Sequence, residues 1–119
     1  MARSAKELES AREEAAKAAG RALAVSADLA TQDDAERAVW QTVEAFGRID
    51  VLVNAAATDA PGTVEELSVE GWDRTLSVNL RAPFLLSKAA FLHMREAGGG
   101  TIVNISSVAG KKGWANAYA

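Results

Sequence analysis

A chain of 119 residues, 49% apolar and 24% charged, has room for one domain and enough apolar side chains to build a core. Sixteen acidic against thirteen basic residues give a net charge of −3 with the signs interleaved. This lacks the basic stripe that a phosphate backbone demands, so no nucleic-acid partner is expected. With no cysteine there are no disulfides or thiolate metal sites, and the single histidine, His93, cannot assemble a zinc site, so no metal is expected. No apolar run reaches bilayer-spanning length, and residues 1–20 read as a charged helix instead of a signal peptide. The expectation is a cytoplasmic protein with no membrane contact.

In chain order, Ser4 and Glu7 form a capping box for a helix through KELESAREEAAKAA, which Gly20 ends. Residues 21–27, RALAVSA, then read as a short strand closed by Asp28. Thr31 and Asp34 give a second cap signal, opening a helix from about Asp33 to Phe46 with Gly47 as its stop. Ile49 to Val53 is mostly apolar and β-branched, the pattern of a strand buried on both faces. A polar loop from Asn54 to about Gly62 contains Pro61. Ser68 caps a helix through GWDRTLSVNLR, Pro83 interrupts it, and a further helix runs from Phe84 to about Glu96. Three glycines, 98–100, lead into a last strand, Thr101 to Ser106.

Helix and strand alternate, which implies right-handed crossovers around a parallel sheet of three strands, near 22–27, 49–53 and 101–106, with helices on both faces. In such sheets a ligand lies at the carboxyl ends of the strands. Those ends are Ala27-Asp28, Val53-Asn54 and Ser106-Ser107, where polar residues gather. Trp40 and Trp72 fall at core-compatible helical positions, so packing is expected of them, and His93 is expected to face solvent near a helix end.

FGRIDVLVNAAA, SVNL and TIVNISSVAG occur in that order, and together they resemble the short-chain dehydrogenase/reductase family over essentially the whole chain. The resemblance implies an α/β class, a Rossmann-like parallel sheet with flanking helices, truncated at both ends, so that 1–119 is a single partial NAD(P)-binding domain. It implies that Asp28, with Leu29 beside it, meets the adenine ring, and that Asn54, Ala55 and Ala56 run along the adenosine side of the cofactor. In the family's NNAG segment the second asparagine and the glycine correspond here to Ala55 and Ala57. Asn79 matches the helix asparagine whose backbone carbonyl holds a water of the proton relay, at a helix irregularity that Pro83 reinforces. Ser107, with Ser106 as its neighbouring alternative, matches the serine that hydrogen-bonds the substrate carbonyl.

Tyr118 matches the general acid/base. A free phenol has a pKa of about 10, and the family lowers it with a lysine four residues on. That position would be 122, beyond the last residue, and the interval from Ser107 to Tyr118 is 118 − 107 = 11 residues, about two shorter than the family pattern. No glycine-rich turn for the pyrophosphate occurs in residues 1–20. Arg3, where the family distinguishes its cofactors, leans towards NADP over NAD.

Two functions are thus in play. One is an NAD(P)-dependent oxidoreductase interconverting an alcohol and a ketone, and the other is a non-catalytic remnant or fragment keeping the central sheet and an oligomerisation surface. The family resemblance favours an enzyme, while the polypeptide alone is expected to be inactive. The helix matching 83–96 is expected to pair with its counterpart in a homo-oligomer, since apolar residues cover more than one of its faces.

Overall fold

A computed structural model of the chain describes residues 5–108. The elements are α1 (Ala5–Ala19), α2 (Gln32–Phe46), β1 (Val51–Asn54), α3 (Val69–Leu76), a π-helical turn (Ser77–Arg81), α4 (Ala82–Glu96) and β2 (Thr101–Asn104). Helix α1 follows the predicted span, although Ser4 of its capping box lies outside the described residues. Thr31 caps α2, its side chain accepting from the Asp34 N–H, and Gly47 closes that helix in the left-handed region at φ 81° while its own N–H donates to the Val43 carbonyl. Ser68 caps α3 by accepting from the Gly71 N–H at 3.0 Å.

β1 and β2 pair in parallel, in register from Val51 with Thr101 to Asn54 with Asn104. The intervening helices form the crossover that a parallel pair needs. The core is Val39 of α2, Ile49, and Ala90 and Met94 of α4, flanked by the partly buried Val43, Leu52, Leu86 and Ala89. At the turn into β2 the chain passes so close to α4 that a Cβ on Gly100 would stand 2.6 Å from the Met94 Cγ, which only glycine permits.

Five expectations need correction. Residues 21–28 are not a strand, so the described sheet has two strands and not three. A strand exists through a neighbour's ladder, and here α2 side chains take part of that role. The Ser26 carbonyl accepts from Arg37 Nη2 at 2.9 Å, and the Asp28 N–H donates to Asp34 Oδ2 at 2.6 Å.

The second concerns burial. α2 and α4 share the sheet face that Leu52 and Asn54 present, so alternation turns Val51 and Val53 the other way, where they are 57% and 53% exposed. Among the described residues no helix covers that side.

Third, Pro83 does not break the helix. It sits in the first turn of α4, and the interruption takes the form of a register change in which the Ala82 N–H donates to the Ser77 carbonyl, five residues back.

Fourth, Trp40 and Trp72 are 56% and 43% exposed instead of buried. On α2 the inward positions are Ala35 and Val39, one turn apart, which leaves Trp40 at the rim. Fifth, His93 is half-buried instead of turned to solvent.

Candidate functional site

The carboxyl end of β1 divides two clefts. The smaller, about 50 Å³, is lined by Leu29, Asn54, Ala55 and Ala56 together with Val53 and the helical residues Val78, Ala82, Pro83 and Leu86. The larger, about 420 Å³, has Asn54, Ala56, Asn79, Asn104 and Ser106 among its walls, with Pro83, Phe84 and Ser87 from α4. Four of the residues expected on the adenosine side therefore meet around one cleft. Asn54 and Ala56 form the partition to a second cleft, where Asn79 stands.

Asn54 is buried, 6% exposed, at the last register pair of the sheet. Its Nδ2 donates to Asn104 Oδ1 across the strands at 2.8 Å and makes a longer contact of 3.4 Å to Ser87 Oγ on α4. Its Oδ1 is buried with no hydrogen-bond partner among the described residues. A buried acceptor of this kind is costly unless a donor reaches it.

Asn79 lies inside the π-helical turn. Its side chain grips the loop after β1 at both ends of one residue, with Nδ2 donating to the Thr58 carbonyl at 2.8 Å and Oδ1 accepting from the Thr58 N–H at 2.9 Å. The residue four further on is Pro83, which has no N–H, so the Asn79 carbonyl has no α-helical donor at that position. Side chain and main chain are thus divided, the first fixing a loop and the second lacking its α-helical donor.

Asp28 is a junction. Its Oδ1 accepts from the Ala30 N–H at 3.1 Å, its Oδ2 accepts from Arg74 Nη1 of α3 at 3.0 Å, and its carbonyl accepts from the Thr31 N–H and hydroxyl. The Arg74 hydrogen bond, then the Ala30 N–H, hold the Asp28 carboxyl below the ordinary aspartate range. Asp34 is lowered likewise, first by its hydrogen bond from Arg37 and then by the Asp28 N–H.

Ser106 reaches the larger cleft, while Ser107 follows it as an exposed residue in irregular chain beyond β2. Arg3 and Tyr118, the other two residues expected at the site, lie outside the described residues. The sequence reading missed Asn104, Ser87, Thr58 and Arg74. Asn104 had a signal, since VLVN and TIVN are strands of equal length each ending in asparagine. The contacts of Arg74 with Asp28 and of Ser87 with Asn54 span 46 and 33 positions and leave no local trace. Among the described residues there is no cluster of three or more His, Cys, Asp or Glu that could hold a metal, and no helix long and apolar enough to cross a membrane.

A parallel pair joined by a helical crossover, with clefts at the strands' carboxyl ends, defines a Rossmann-like α/β fold. The family model for short chain dehydrogenase matches residues 1–119, and the chain belongs to that family. An uncharacterized oxidoreductase of Thermotoga maritima is 50% identical over 91 residues, 76% of this chain and 36% of that protein. Trans-4-hydroxycyclohexanecarboxylate dehydrogenase of Sinomonas cyclohexanicum is 45% identical over 100 residues, 82% of this chain and 38% of that protein. The chain thus spans little more than a third of these relatives' length. A metagenomic short-chain oxidoreductase solved in complex with NADP superposes with a TM-score of 0.88 at 36% identity, covering 98% of this chain and 53% of that one. A mutant of a Serratia marcescens short-chain dehydrogenase/reductase gives 0.87 at 36% identity, covering 98% and 47%.

The residues present suit the adenosine half of a dinucleotide. Ala55 and Ala56 let a ligand approach the backbone closely, Asn54 offers a buried acceptor with no partner among the described residues, and Asp28 offers an anionic one.

Proposed function

We propose that the whole protein is an NAD(P)-dependent oxidoreductase interconverting a small-molecule alcohol and its ketone, with NADP preferred over NAD. The observation that carries this reading is the convergence of Leu29, Asn54, Ala55 and Ala56 on one cleft and of Asn79 and Ser106 on the next, at the carboxyl ends of a parallel pair. Asp28 and Leu29 take the adenine end, and Asn54 to Ala56 flank the adenosine. When bound, the nicotinamide group supplies or accepts the hydride. Tyr118 moves the proton to or from the substrate oxygen. Ser107 donates a hydrogen bond to that oxygen and orients the carbonyl. The Asn79 carbonyl, without an α-helical donor from Pro83, holds a relay water. Arg3 supports the NADP preference by its charge, and NADP is the cofactor held by the metagenomic relative. Phe84, Phe91 and Leu92, exposed on α4, support a homo-oligomer formed through that helix.

The test is an assay of the whole protein with a panel of secondary alcohols and NADP⁺, reading the absorbance of the reduced nicotinamide. Turnover that Tyr118→Phe abolishes while cofactor affinity stays within about threefold, under 1.4 kcal/mol, is the expected result. A Tyr118→Phe protein that turns over as before defeats the assignment.

A further inference from the structure

Arg74 belongs to none of the motifs that carry the resemblance, yet the fold brings it from α3 onto Asp28, 46 positions away. Its Nη1 donates to Oδ2 at 3.0 Å while the Ala30 N–H donates to Oδ1 at 3.1 Å. One donor on each oxygen, from two different elements, fixes the plane of the carboxylate. The Ala30 contact alone would leave the group free to swing about its terminal torsion. Each oxygen of an ionised carboxylate can accept twice, so each keeps one acceptor site after these bonds. The two side chains are 43% and 38% exposed, which leaves the acceptors within reach of a ligand. An ion pair this open adds little to stability, so holding the fold is a weak reason for it.

We propose that Arg74 is a positioning residue for the adenine end of the cofactor site, holding the Asp28 carboxylate in the plane that accepts the exocyclic amino group of the purine. It acts through Asp28 and not by touching the ligand. This rests on the reading that places Asp28 at the adenine. The lowered Asp28 carboxyl is consistent with it, because an ionised carboxylate only accepts. A purine that presents a keto oxygen instead of an amino group is then disfavoured at this point.

The experiment compares NADP⁺ with its deaminated analogue, in which hypoxanthine replaces adenine, by calorimetry on the whole protein. The unsubstituted protein is expected to prefer the adenine form by about tenfold, the scale of one charge-assisted hydrogen bond. Arg74→Met is expected to lose most of that preference through weaker NADP⁺ binding, with affinity for the deaminated form unchanged. Arg74→Leu, which also removes the donor while keeping an apolar stem, serves as second variant if Arg74→Met fails to fold, and the same outcomes are read from it. Equal weakening of both ligands marks a structural role and overturns the proposal, as does a full preference retained without Arg74 or no preference at the start. Asp28→Ala, which removes both acceptor oxygens, separates the placement of Asp28 from the role of Arg74. If it keeps the preference, the placement of Asp28 at the adenine fails, and if it loses the preference while the Arg74 variants keep it, only the role of Arg74 fails.

Discussion

The amide of Asn54 is held on one side only. Its Nδ2 is engaged by Asn104 and its Oδ1 is buried without a partner among the described residues, so the pair does not resolve into two independent contributions. Asn104→Ala leaves a buried donor poorly satisfied and is expected to destabilise the fold by about 1–3 kcal/mol. Asn54→Leu removes the orphaned acceptor along with the donor, so the double variant should cost less than the sum of the singles. Urea denaturation of the four proteins gives the coupling, and strict additivity would show that the cross-strand contact is absent in solution.

Asp28 and Asp34 make a pH prediction at the same scale. Arg74, the Ala30 N–H, Arg37 and the Asp28 N–H lower the two carboxyls in the folded state, against the repulsion that Asp34 exerts on Asp28. A lowered folded pKa contributes stability that is present above the unfolded value, about 3.9 for aspartate, and is lost as pH falls through the folded one. The denaturation midpoint should therefore drop as pH falls below about 4, and Asp28→Asn should flatten that drop.

At the scale of elements, the helices were legible and the strands only in part. Thr31, Gly47 and Ser68 act where a cap or a stop was expected, because capping is a contact between residues three or four apart. The stretch 22–27 has strand-like residues, but a strand also needs a neighbour, and neighbours are not written in local sequence. The same reasoning applies to the site. Asn54 and Asn79 were legible through motif resemblance, whereas Arg74 came to light only when the crossover set α3 beside Asp28. Pro83 lies between these cases, being readable as a disturbance whose form, a π-helical turn, depends on the packing of α4. Pro83→Ala restores a donor to the Asn79 carbonyl. If that carbonyl serves the proton relay, kcat of the whole protein should fall at least about tenfold, within the range that positioned proton transfer contributes, while the melting temperature does not fall. An unchanged kcat would remove the carbonyl from the mechanism.

For the molecule as a whole, apolar surface is unevenly covered. α4 contributes Leu85, Ala90 and Met94 to the interior and leaves Phe84, Phe91 and Leu92 at least half exposed. The far face of the sheet adds Val51 and Val53. Apolar groups grouped in this way favour association. Light scattering of the 119-residue chain at micromolar concentration should give a mass above the monomer, and Phe84→Glu with Phe91→Glu should lower it. A monomeric mass with native helix content would refute the α4 surface as an association site.

The parallel register also dictates an order of events in time. Asn54 and Asn104 are 50 residues apart, and nothing joins the strands until that length of chain has closed on itself. The ideal-chain entropy of such a closure is about 3.5 kcal/mol beyond its constant part. The intervening helices face no such barrier, because their bonds are local and form within about a microsecond. The helices are therefore expected to precede the sheet during refolding, and the larger cleft, which takes walls from both strand ends, to follow it. The amide protons of Thr101 and Ile105, whose acceptors are the carbonyls of Asp50, just before β1, and Asn54, at its end, act as the clock for that step.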